Sequence, residues 1–90
     1  VSALDPSLLA DDAARLRRFT VLAAAEPGLL PRLIEPFAKR GLVPRRFEAA
    51  QEGDSLRVSF AAELDADTAA RIAATLRATV GVAAVLAEQG

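Results

Sequence analysis

Carboxylates at Glu26, Glu48, Glu52 and Glu63 would supply a general acid and a general base if two of them faced each other across a substrate. The usual partners of such chemistry are missing, because the chain contains no His, Cys, Tyr, Trp, Met or Asn. That removes thiolate nucleophiles, imidazole proton shuttles, disulfides and soft-metal sites. No catalytic residue, cofactor or metal site is expected. Arg45 and Arg46 are the other conspicuous pair, yet neighbouring strand residues point to opposite faces, so at most one of the two can meet a given partner. They read as solvated edge charge.

The elements that hold these groups must fit a small body. Ninety residues, 52% of them hydrophobic and 26% charged, suit one domain with one modest core. A chain this short buries only about 60–65% of its unfolded surface, so help from a second chain is expected. The formal net charge of −1, with both signs interspersed, gives no footprint for nucleic acid or an anionic membrane. No apolar run reaches the roughly 18 residues of a membrane span, and no basic stretch leads into an apolar signal core. A cytoplasmic location is the expectation.

Along the chain, residues 1–16 read as an arm or short helix, with Asp5 placed to cap and Pro6 at a first helical position. A single domain follows over residues 17–90. Phe19, Thr20, Val21 and Leu22 lie in a strand over Arg17–Ala25 that stops at Glu26-Pro27-Gly28. Leu30, Leu33, Ile34, Phe37 and Ala38 then recur at helical spacing, with Pro36 expected to kink the helix and Gly41 to end it. Leu42–Gln51 reads as an edge strand, because Pro44 cannot join a central ladder. After the turn Glu52-Gly53-Asp54, the residues Leu56, Val58, Phe60 and Ala62 alternate with polar ones in a third strand. Asp65 or Asp67 can cap a second helix whose inward stripe is Ala69, Ile72, Ala73, Leu76 and Val80, and Gly81 ends it. Val82–Leu86 is a short last strand.

This order predicts an α+β, ferredoxin-like βαββαβ sandwich, with an antiparallel four-stranded sheet of order 4-1-3-2 and two helices on one face. The segment from Pro27 to Gly41, above all Gly28, Leu30, Arg32, Phe37, Arg40 and Gly41, resembles the first helix of ACT domains. The likeness runs from Arg17 to Glu88 and is closest to the small regulatory subunit of acetolactate synthase. It implies a non-catalytic domain that forms a homodimer through a sheet edge, binds a free branched-chain amino acid and controls a catalytic enzyme subunit. The implied ligand-binding residues are Ala25, Glu26, Gly28, Leu29, Leu30 and Val43. Gly28 would let the backbone approach the ligand, Leu29 and Leu30 would offer amides to its carboxylate, and Glu26 would hold its ammonium group. The chain departs from the pattern at Ala25 and Val43, where family members that bind valine use Asn. Pro27 and Pro31 also subtract two amides.

The alternative is a ligand-free dimerisation module of the same fold. Other uses of this architecture lack their chemistry here. An RNA reader needs stacking aromatics on the third strand, and Phe60 is assigned to the core. A metal carrier needs thiolates, and an acylphosphatase-like reaction an Asn.

Overall fold

The computed structural model describes residues 14–89. Six elements follow in order: β1 (Arg15–Ala24), α1 (Leu29–Lys39), β2 (Arg46–Glu52), β3 (Ser55–Leu64), α2 (Ala66–Ala78) and β4 (Val82–Gln89). The sheet order is β2-β3-β1-β4, every neighbouring pair antiparallel. This is the expected βαββαβ topology.

Alternation decides which face carries the core. In β1, Arg17, Phe19, Val21 and Ala23 are buried, and in β3 so are Leu56, Val58, Phe60, Ala62 and Leu64. These residues stand opposite one another in the β1–β3 register and so share a face. Against it lie Leu29, Leu33 and Phe37 of α1 with Ala69, Ile72, Ala73 and Leu76 of α2, in one hydrophobic cluster. The other face is more polar, carrying Arg18, Thr20, Arg57 and Ser59.

Phe37 is the keystone of that cluster. Its ring meets Phe19 edge-on at 6.2 Å and stacks on Phe60 at 5.0 Å, tying α1 to both central strands at once. The helix continues through Pro36, which is itself buried. Arg17 is the exception to the apolar face. It is 5% exposed, and its Nε donates to the Leu64 carbonyl at 2.7 Å.

Several expectations need correction. The first strand begins at Arg15, two residues earlier than read, so part of the supposed arm belongs to the sheet; residues 1–13 lie outside the described residues. The second strand begins at Arg46, not Leu42. Pro44 lies ahead of the ladder, which opens when Arg45 donates its amide to Ala61. Val80 is not part of the inward stripe: α2 ends at Ala78 and Val80 is 80% exposed. The last strand extends to Gln89, because β4 pairs along β1 as far as Arg17.

Of the two candidate caps, Asp65 performs the task, accepting a 2.6 Å bond from the Thr68 amide. That amide, helped by the Thr68 hydroxyl, holds the Asp65 carboxyl below its ordinary value of 3.8. A lowered folded value means that the cap's contribution is complete above pH 3.8 and fades as the pH falls through the folded value. The melting temperatures of wild type and Asp65→Ala should therefore differ near neutral pH and converge in acid. In the core, Phe37→Ala or Phe60→Ala should cost about 3–5 kcal/mol by denaturant titration. Loss of less than about 1 kcal/mol at both sites would contradict the core drawn from their rings.

Candidate functional site

Three chain reversals meet where β1 leaves the sheet. Ala24 donates its amide to Gly81 at 2.9 Å, joining the α2–β4 turn, and Ala25 donates to Asp54 at 3.0 Å, joining the β2–β3 hairpin. The Glu26 amide returns to the Ala24 carbonyl, which tightens the turn toward α1. A depression of about 220 Å³ opens beside it, lined by Ala25, Glu26, Pro27, Leu30, Gln51 and Leu56.

Of the expected ligand-binding residues, the structure brings Ala25, Glu26 and Leu30 together around this depression, with Gly28 one residue beyond Pro27. Leu29 behaves differently from the expectation. Its side chain is 1% exposed in the core, and its amide already donates to the Glu26 carbonyl at 3.1 Å. Proline has no amide to give at positions 27 and 31, so Gly28 and Leu30 are the donors left for an anion. Val43 is not part of this end of the chain. It precedes Arg46, which pairs with Ala61, whereas Ala24 pairs with Ser55 at the other end of β3. At 87% exposed, Val43 faces solvent.

Gly28 is informative because the chain itself does not demand a glycine there. Its φ of −79° is ordinary for any residue, and an added Cβ would meet nothing within 4 Å. The turn into α1 therefore does not depend on a glycine at this position. What remains is an open approach to the start of α1, a terminus with no side-chain cap and no acid in its first turn. Gly81 is the contrast. With φ of +98° it occupies a conformation suited to glycine, and an added Cβ would be in contact with the Leu29 methyls at 3.4 Å.

The glutamates do not assemble into an acid–base pair. Glu63 pairs with Arg45 at 2.7 Å and Glu48 with Arg46 at 3.3 Å, both among exposed side chains, where such pairs add less than about 1 kcal/mol. Glu26 sits at the β1–α1 turn and Glu52 at the end of β2. No cluster of three or more metal-ligating side chains occurs among the described residues. No helix among them is long and apolar enough to cross a membrane.

Sequence reasoning missed Gln51 and Leu56, which reach this depression from the hairpin, and it missed buried Arg17. The signal for Arg17 was present. It stands two and four residues before Phe19 and Val21, and strand parity alone puts it on their face.

Comparison with known proteins bears on this arrangement. A family model for ACT-like domains matches residues 10–90. The fold is similar to the ACT domain of the GTP pyrophosphokinase from Chlorobium tepidum, with a TM-score of 0.74, 13% identity and coverage of 82% of this chain and 97% of that one. An uncharacterized protein from Thermotoga maritima gives 0.72 and 13%, covering 84% and 96% of the two chains. The C-terminal domain of the MgtC protein from Mycobacterium tuberculosis gives 0.69 and 16%, covering 90% and 93%. At these identities the three structures speak for the fold alone, and none is described as an acetolactate synthase subunit. No curated protein gives a significant match. With the family model spanning nearly the whole chain and the ferredoxin-like sheet, its order and its two helices all in place, the chain belongs to the family of ACT-like domains.

Proposed function

We propose that this chain is a non-catalytic regulatory domain that dimerises and takes a free branched-chain amino acid at the β1–α1 turn, relaying its presence to a catalytic partner. The observation that carries the reading is Gly28. Nothing inside the chain requires a glycine there, and it opens the uncapped start of α1 beside a depression of suitable size. The ligand's carboxylate would meet the Gly28 and Leu30 amides, its ammonium group Glu26, and its side chain the apolar surface of Leu30 and Leu56.

Sensing needs a ligand that prefers one state of a complex over another, so a domain of this kind implies an enzyme to act on. The helix residues from Pro27 to Gly41 suggest acetolactate synthase as that enzyme. The Chlorobium neighbour, an ACT domain of a GTP pyrophosphokinase, keeps a wider range of enzymes in view. For assembly, β2 offers an edge exposed along its whole length, with Phe47 at 42% exposed and Val43 just ahead of it.

A second reading, a dimerisation module with no ligand, has its own support. The Leu29 amide is spent on Glu26, two prolines offer none, and Ala25 and Val43 lack polar side chains.

Thermal melting against valine, leucine and isoleucine separates the two. A ligand at about 100 times its Kd adds roughly 2.7 kcal/mol, which raises the midpoint of a domain this size by around 10 °C or more. Gly28→Ala should leave the melting temperature of the free protein nearly unchanged and abolish that rise. A flat panel, both alone and with the candidate synthase present, would favour the ligand-free module. For assembly, sedimentation should show a dimer that Val43→Glu converts to monomer without loss of fold. A wild-type monomer at all concentrations would refute the edge-pairing proposal.

A further inference from the structure

At the far end of β1 from the turn, a groove of about 260 Å³ runs between α2 and the β1–β4 pair. Its walls include Phe19, Ala69, Ala73 and Ala87, and two guanidinium groups, Arg17 and Arg77, border it. The alanines of α2 make the groove, since larger side chains at those positions would fill it.

Arg17 is the unusual group. A buried guanidinium is always charged and needs partners for its five N–H donors. Here Nε has the Leu64 carbonyl at 2.7 Å, while Nη2 is shut away from solvent with no hydrogen-bond partner. No carboxylate among the described residues lies within 4 Å of it. Asp65 feels the Arg17 charge but makes no ion pair with it, and its Oδ1 accepts from the Thr68 amide. Glu88 also borders the groove, yet it pairs with Arg18 in the register and so belongs to the opposite face of the sheet. Arg77 likewise has no carboxylate partner among the described residues. Its Nη2 donates to the Val85 carbonyl at 3.1 Å, which ties the side chain to β4 at the border of the groove.

Two tethered cations, neither of them ion-paired among the described residues, beside apolar walls select an anion with a hydrocarbon body. We propose that this groove binds a small aliphatic carboxylate, its carboxylate drawn to Arg17 and Arg77 and its chain lying along Phe19 and the alanines. The walls count against an inorganic anion, which would leave them unused. The volume, at the small end of ligand pockets, counts against a peptide. This site is separate from the β1–α1 turn and does not depend on the reading proposed for it.

The probe is 4-methylpentanoate, titrated into the full chain and followed by amide chemical shifts, with inorganic phosphate and leucine as parallel arms. Saturable shifts at Ala69, Ala73 and Ala87 are expected with 4-methylpentanoate, and Kd should rise about tenfold or more in Arg77→Gln. Arg77 is exposed, so this variant should fold, and its own spectrum verifies that. Arg17→Lys, which keeps a charge but loses the fork, should weaken binding in the same direction. Equal shifts with phosphate would reduce the groove to a site of anion screening and overturn the proposal. So would affinity unchanged in Arg77→Gln, or no saturable shift up to roughly 20 mM probe. Leucine, whose ammonium group the two guanidinium groups repel, should shift Ala69, Ala73 and Ala87 less than the probe does; shifts equal to the probe's would overturn the proposal.

Discussion

The contact of Phe37 with Phe19 and Phe60 is the constraint from which the rest of the domain follows. One helix residue touches both central strands, and those strands carry the hydrogen-bond ladders to each edge. Fixing that ring fixes how far α1 stands off the sheet and where its first turn begins. The position of the β1–α1 turn is thus a result of core packing. The loop is held in place by the Ala25 amide on the β2–β3 hairpin and by the Glu26 and Leu29 amides, which close on its own carbonyls.

The same core explains the unequal treatment of the two edges. β4 has α2 beside it, and Val82 and Val85 pack against the cluster. β2 has no such cover and is exposed at every residue, held by its ladder to β3 and by the ring of Phe47 on Phe60 at 5.1 Å. Two helices of 11 and 13 residues do not roof four strands. The domain leaves the shortfall at the strand whose residues, apart from Phe47 and the two alanines, are polar or charged.

Much of this architecture was legible in the residues. Period-two alternation in Leu56–Ala62 marked the buried face of β3, and the spacing of Leu33 and Phe37 marked the inward side of α1. Gly53, placed at φ of +62°, marked the hairpin. Boundaries were less legible because pairing sets them: β4 runs on to Gln89 since β1 offers partners that far, and Pro44 excludes four residues that looked extended. Val80 was misplaced because helical periodicity carries no stop signal until a capping contact ends it, here the Thr79 amide on the Leu76 carbonyl. Of the site, Ala25, Glu26 and Leu30 could be found from their neighbourhood in the chain. Gln51 and Leu56 could not, because the hairpin brings them there through space. Leu29 looked like an amide donor because a helix start has free amides in general, and the Glu26 carbonyl claims this one in particular.

The meeting of three turns at one end of the sheet has a mechanical consequence. Ala24 and Ala25, consecutive in the chain, hold the α2–β4 turn and the β2–β3 hairpin by one backbone hydrogen bond each. Both outer strands are therefore hinged to the same dipeptide. A shift of the main chain at this junction is passed to the left and right margins of the sheet together, so whatever docks along either margin is coupled to the geometry of a single bend.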